Sequence, residues 1–592
     1  MPTEQTPYTP PRDAAPADTP VPAAASSTKI DADRERLLNA ESTGKRWWTY
    51  VQLSGPGWLQ SAITLGGGSL AGALFLGLLG GTEFIWLQLV AILCGVVMLS
   101  AIAYVTLSTG RRPFEAINRE INPALGWGWL IATSLANMIW CMPQFSLAYD
   151  AIDLNLTRAV TGERLGTSAA TQWIVTAILF VCAGGVVLLN VRQGKTAKLF
   201  DLVLKTLIGM VVICFFGVVA VLAFSGQLDF GAIVAGLIPN PSSWNEPSSR
   251  MRELIGSLPP AAATYWTDRL VSEQRNVMIA AAATAVGINM TFLLPYSMLA
   301  RGWDKPFRGL ARFDLSTGMA IPYVLVTSCV VIAAATTFHG RVDESLLSTD
   351  PAVVVQSPLY AGVAGQLAKQ NGGDPTPEMV AATSSAERHL AATLVKRNAR
   401  QLSETLTPLL GQFGSNLVFG LGVFGMGFST IIILMLINGY VFRELMNDPD
   451  GVTPFVIGCL VAGVTGAMWV VVWTDPDAKF YLAIVASTFG AMLLPIAYVT
   501  FWLMMNSRRI LGPEKPTGTS AIVWNVLMSI AVVLSIVAAF FAIKGKIESP
   551  DTAPWLANTI IGIAVAYAIV VAIGFFMRKR SANPESANPD AA

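Results

Sequence analysis

Residues 63–72 read Ile-Thr-Leu-Gly-Gly-Gly-Ser-Leu-Ala-Gly, and residues 286–295 read Val-Gly-Ile-Asn-Met-Thr-Phe-Leu-Leu-Pro. Each stretch interrupts an apolar run long enough to cross a bilayer, which takes about 20 residues. Glycine costs a helix interior about 1 kcal/mol and proline about 3 kcal/mol. Non-helical backbone at membrane depth survives only where protein buries it or water reaches it. Gly66, Gly67, Gly68 and Ser69 therefore predict an unwinding of the first run. Gly287, Asn289, Thr291 and Pro295 predict one in the sixth. Two breaks five runs apart are what an inverted five-plus-five repeat produces, with a substrate held between them near the midplane. Close glycine packing or a proline kink explains either break alone, but not their corresponding positions.

Around these breaks the whole chain reads as an all-α polytopic membrane protein. Of its 592 residues 53% are hydrophobic and only 13% charged, about half the charged share of a soluble protein. Apolar runs fall near 52–80, 84–108, 125–149, 172–191, 200–224, 276–300, 318–338, 409–440, 452–473, 480–506, 520–543 and 556–577, about 12 transmembrane helices. Residues 1–44, rich in Pro, Ala, Thr and Asp, lack the apolar core of a signal peptide and read as a disordered cytoplasmic tail. A transporter-like core would span 45–545, with long outside loops at 225–275 and 339–408. A twelfth span lies within 546–580, and 581–592 form a second cytoplasmic tail. Lys and Arg concentrate after runs 2, 4, 6 and 10, at Arg111, Arg112, Arg192, Lys195, Arg301, Lys305, Arg508 and Arg509. The positive-inside rule makes that side, with both termini, cytoplasmic, and the plasma membrane is the expected location. Trp47 and Trp48 read as interface anchors, Glu83 as solvated, and Asp150, Asp153 and Asp201 as solvated groups at span ends.

Several function classes drop out. A net charge of +1 provides no field for nucleic acid. The two histidines, His339 and His389, lie outside the apolar runs. The six cysteines form no C-x-x-C pair and read as apolar packing. No nucleophile–base set or phosphate loop is present, so neither an enzyme nor a resident cofactor is expected.

At this point the sequence resembles the Nramp family of divalent metal transporters, as a divergent branch. The similarity rests on Gly55-Pro56-Gly57 opening run 1 and on Thr109-Gly110-Arg111 leading into Phe114-Glu115-Ala116-Ile117. It extends to Gly427-Phe428-Ser429-Thr430 in run 8 and to Leu494-Pro495 followed by Asn506, Arg508, Arg509 and Leu511-Gly512. It implies the leucine-transporter-type fold of the APC superfamily, with one site between unwound spans 1 and 6. Where the family's first metal motif is Asp-Pro-Gly-Asn, this chain has Gly66-Gly67-Gly68-Ser69. Where span 6 has Met-Pro-His, it has Leu294-Pro295-Tyr296, with Thr291 three residues before. The family's span 3 Asp and Glu fall on Cys141 and Gln144. The resemblance thus implies substrate-binding positions at Gly66, Gly67, Gly68, Ser69, Gln144, Asn289, Thr291, Leu294, Pro295 and Tyr296, stripped of the anionic and thioether ligands. Soft sulfur favours transition metals, whereas hydroxyls and carbonyls favour a hard ion. An ionisable group in mid-span costs about 2.5–3.5 kcal/mol and is normally functional. Its absence from the centre of every run argues against a proton relay.

Three readings follow: a transporter of a small solute, expected to be a divalent cation of magnesium-like character and not proton coupled; a transporter of a neutral or zwitterionic organic solute on the same fold; and a non-transporting sensor or scaffold. Buried amides at Gln60 and Asn438 read as bonds to neighbouring helices. Ser429 and Thr430 read as bonded to their own helix.

Overall fold

The computed structural model describes residues 27–40, 42–166, 168–191, 195–397, 407–472, 482–548 and 552–582. Among them there is no strand, and the elements are helices throughout. Eleven stretches are long and apolar enough to cross a membrane. The first, Gly67–Thr109, has 43 residues, about 65 Å of helix at 1.5 Å per residue and about twice the hydrocarbon thickness. It divides at a 3-10 turn, Gly81–Phe84, where Gly81 has φ 59°, and so holds part of span 1 and all of span 2. The twelve-span order of the sequence is thereby kept.

Span 1 comprises an inner half, Pro56–Thr64, and an outer half, Gly67–Gly80. Span 6 comprises Pro260–Ala285 and Ile288–Ala300. Both are broken, but each break is short and lies just ahead of the expected residues. Leu65 (φ −87°, ψ 45°) and Gly66 (φ −95°, ψ −178°) leave the helix, and it resumes at Gly67. Val286 (φ −145°, ψ 110°) and Gly287 (φ −87°, ψ 166°) form the second break. Asn289–Pro295, read as unwound from the sequence, is helical. Pro295 lies inside Ile288–Ala300, beyond the first turn, where it cannot donate the usual bond to the Thr291 carbonyl.

The spans differ in burial. In span 6 94% of the most apolar stretch is buried, and in span 8 78%. In span 12 the figure is 0%, as for a helix facing lipid. The outer half of span 1 packs on spans 6 and 7, while span 3 (Pro123–Asp150) packs on span 8 (Thr407–Leu445) and span 9 (Val452–Ala467). The breaks lie where these two groups meet.

Several surface expectations change. Ser27–Leu38 is helical, not disordered. Leu37 is buried and Arg34 pairs with Asp304 at 2.8 Å, docking this segment on the turn after span 6. Residues 1–26 lie outside the described residues. Asp153 is 1% exposed and pairs with Arg164 at 2.8 Å, and Asp150 is also buried. These are not solvated span ends, because a π-helical turn at Ala151–Leu156 carries span 3 beyond its apolar run. Asp201 pairs with Arg301 at 2.9 Å. Glu83 accepts from the Ser249 N–H at 3.1 Å. Within the loop at 339–408, Arg388 is buried and donates to the carbonyls of Leu346, Leu347 and Ser348. The buried apolar residues of its short helices, Leu346, Val354, Val363, Leu367, Val380 and Leu390, join the same core cluster as the spans.

Candidate functional site between the two breaks

The Gly-Pro-Gly that opens span 1 is seated by a buried carboxylate. Asp314, 1% exposed at the start of span 7, accepts from the Gly55 N–H at 3.1 Å, the Gly57 N–H at 2.6 Å and the Ser54 hydroxyl. An acidic group at a helix N-terminus satisfies orphan donors and complements the dipole. A Cβ at Gly57 would stand 2.2 Å from the Asp314 carbonyl oxygen, so only glycine permits this approach. Sequence reading stopped short of Asp314 because it precedes the apolar run.

Farther out, the break at Leu65–Gly66 frees the Ala62 carbonyl from its usual helical partner. Ser429 Oγ and Thr430 Oγ1 of span 8 each donate to it at 3.1 Å. Each also bonds the Met426 carbonyl, at 3.3 and 2.8 Å, so their expected bonds to their own helix form alongside a second role. On the other side of the break, the Gly67 N–H donates to Gln144 Oε1 at 2.8 Å, and the Ser69 hydroxyl donates back to the Thr64 carbonyl. Backbone groups at this depth must find such partners, since lipid offers none.

The result is a cavity of about 30 Å³, enough for a water or two. Ile63, Gly66, Gly68 and Ser69 of span 1 line it. Thr284, Gly287 and Met290 of span 6 face them, and Trp140, Pro143 and Gln144 of span 3, Thr430 of span 8, and Ala483 and Ser487 of span 10 close it. Among these residues there is no Asp, Glu, Lys, Arg or His. The polar wall is four hydroxyls and one amide. A Cβ at Gly68 would lie 2.8 Å from both Ser487 Oγ and Thr284 Cγ2, and one at Gly287 2.2 Å from the Trp140 ring. The glycines are what leave the space.

Of the sequence-derived positions, Gly66, Gly68, Ser69 and Gln144 line the cavity, and Gly67 borders it through its bond to Gln144. The span 6 set does not. Asn289 Oδ1 is engaged locally, accepting from the Met290 N–H at 2.9 Å. Thr291 Oγ1 accepts from Trp129 Nε1 at 2.9 Å. Leu294 is buried in the core, Pro295 lies inside the helix, and Tyr296 stacks on Phe292 at 4.4 Å. Leu294, Pro295 and Tyr296 lie about two turns beyond the break, and Asn289 and Thr291 flank Met290 but face away from the cavity. Met290 stands there instead, one turn before Leu294 on the same helical face, with its sulfur 3.5 Å from Thr64 Oγ1. A thioether is therefore present. The i, i+4 relation to Leu294 was the available signal. Thr284 and Ser487 were missed because neither sits in a motif. Cys141 packs toward Gly466 of span 9, so of the positions on the family's proton route Gln144 alone lines the cavity.

Two broken helices around a small polar cavity at the centre of a twelve-span chain define an inverted-repeat membrane transporter. The comparisons narrow this class. The family model "Natural resistance-associated macrophage protein-like" matches residues 57–367 and 379–543, and the chain belongs to the Nramp family. A search of curated proteins finds no match. Among solved structures, the manganese transporter of Eremococcus coleocola in complex with an aromatic bis-isothiourea substituted compound is 16% identical. The match covers 90% of this chain and 96% of that one, with a TM-score of 0.60. Two mutants of the same transporter match at 15% identity and the same coverage, with TM-scores of 0.61. At this identity the likeness speaks for the fold.

Proposed function

We propose that this chain carries a small divalent cation of magnesium-like character across the plasma membrane, with both termini cytoplasmic and without coupling to protons. One observation carries the reading: the cavity between the breaks is walled by the hydroxyls of Ser69, Thr284, Thr430 and Ser487 and the amide of Gln144, with no ionisable side chain among the lining residues. Neutral oxygens suit a hard ion that keeps part of its water shell. Family membership and the manganese transporters of like fold support a divalent metal as the cargo. Met290 adds a single thioether to this wall of neutral oxygens, its Sδ 3.5 Å from Thr64 Oγ1.

A neutral or zwitterionic organic solute is the second reading, because half-helix N-termini at Gly67 and Ile288 could hold a carboxylate. Against it, the Gly67 N–H is already bonded to Gln144, and a cavity of about 30 Å³ admits no amino acid. Proton independence is supported by the chemistry of Gln144, which does not titrate. The test is uptake into liposomes loaded with a pH dye, offering magnesium, manganese and a panel of amino acids. Saturable uptake of both ions with no change of luminal pH is expected. Amino-acid uptake alone, manganese uptake indifferent to a large magnesium excess, or substrate-dependent acidification would each overturn part of the proposal.

A further inference from the structure

Inward of the cavity, the spans that wall it are joined by packed rings. Beyond Met290, the helix Ile288–Ala300 of span 6 carries Phe292 and Tyr296 one turn apart on one face, stacked at 4.4 Å. Trp129 of span 3 packs on Phe292 at 4.7 Å and on Phe501 of span 10 at 5.3 Å. Tyr440 of span 8 stacks on Tyr296 at 6.2 Å. All five rings are buried. Ring pairs at these separations attract one another. Spans 3, 6, 8 and 10, each of which also lines the cavity, are thus held together by one aromatic column.

The column ends on a charge pair. Glu444 stands one turn after Tyr440 on span 8, and its carboxylate accepts from Arg112 Nη1 at 3.0 Å. The Tyr296 hydroxyl faces both groups. Arg112 precedes the short helix Pro113–Glu120 that follows span 2, so the pair ties that turn to the end of span 8. The Glu444 side chain is 6% exposed and that of Arg112 32%, which sets the pair across the boundary between protein and water. A fully exposed pair would hold little, and a fully buried one would be costly to part. Glu115 lies 3.7 Å from Arg112 and is paired with Arg119 at 3.0 Å. It offers the guanidinium a second carboxylate when Glu444 lets go.

We propose that the Arg112–Glu444 pair is the inner lock of the transport path. Closed, it pins the aromatic column inward of the cavity. Released, with Arg112 resting on Glu115, it lets spans 6 and 8 separate and the solute leave. The inference rests on the transporter fold and not on the identity of the cargo.

The test reads access to the cavity. In a chain whose six native cysteines are replaced, Met290→Cys places one thiol on the cavity wall. A membrane-impermeant maleimide is then applied to vesicles on the face that carries Arg112. Glu444→Gln keeps the size of the side chain and removes its charge, and should raise the labelling rate by about tenfold as the open state gains population. Arg112→Glu should act likewise. Joining it to Glu444→Arg rebuilds the pair with its charges exchanged and should return the rate to that of the parent. An unchanged rate in Glu444→Gln would overturn the lock, as would an exchanged pair that labels as fast as Arg112→Glu alone. Labelling that rises equally from the opposite face marks loosening of the whole bundle and would overturn it too.

Discussion

The two breaks do the same job by different means. At the span 1 break three backbone groups meet polar side chains: the Ala62 carbonyl meets Ser429 and Thr430, the Gly67 N–H meets Gln144, and the Thr64 carbonyl meets Ser69. At the span 6 break the interruption is steric. Gly287 lies close against the Trp140 ring, and as N-cap of the new helix it has no side-chain cap bond. One break is held open by hydrogen bonds and the other by shape. The polar break brings Ser69, Thr430 and Gln144 to the cavity wall, and the steric break sets the room beside them.

The largest expected effect is at the steric break. Gly287→Ala drives a methyl into the Trp140 ring, where its Cβ would lie at 2.2 Å. Overpacking of this kind costs about 1–3 kcal/mol. Thermal melting should fall and uptake should vanish, and Trp140→Leu in the same chain should restore the melting temperature. If Gly287→Ala is silent, shape does not govern this break.

The polar break should fail more gently. Ser429→Ala with Thr430→Val leaves the Ala62 carbonyl buried and unpaired, at about 1–3 kcal/mol. Either single change should cost less than half of the pair, since the other hydroxyl remains. Additive singles, measured by a denaturation double-mutant cycle, would show that the two hydroxyls do not share one acceptor.

Gln144→Leu removes one acceptor from the Gly67 N–H, an effect of about 1 kcal/mol. Gln144→Glu keeps the acceptor and adds a charge. It should retain the melting temperature and tighten cation binding, read by calorimetry. Weaker binding by Gln144→Glu would separate the capping role of this residue from any role toward the solute.

The smallest effect concerns the outer end of span 1. His339, just outside span 7, lies 2.9 Å from the Leu78 carbonyl through Nδ1 and 3.4 Å from Ser248 Oγ through Nε2, with Glu83 and Arg250 nearby. Burial lowers its pKa from the ordinary 6.5, opposed by the Leu78 bond. The folded chain therefore holds fewer protons here than the unfolded one, and stability is lost as pH falls below about 6.5. Melting across a pH series should show this slope, and His339→Gln should flatten it.

Much of this architecture was legible in the sequence, because glycine triplets and charge-flanked apolar runs are strong local signals. The breaks were placed a little late, since Gly67 and Ile288 begin helices rather than continue the unwound segment. The hydroxyl wall was half visible. Ser69 and Gln144 came from motif positions, while Thr284 and Ser487 come from helices whose facing only packing decides. Met290 was overlooked because attention followed Leu294, one turn away. Asp314 escaped because nothing in its local sequence distinguishes a buried cap from a solvated loop acid.

The neutrality of the cavity wall has an electrical consequence. On the function proposed above, with no counter-charge travelling in the protein, a divalent ion would cross as two full charges. Each is worth about 2.3 kcal/mol per 100 mV of membrane potential. An inside-negative voltage of that size could then sustain roughly three decades of accumulation. A carrier built this way needs no chemical gradient of a second ion, because the polarised membrane is itself the energy source, and collapsing the voltage would turn the same protein into a passive leak.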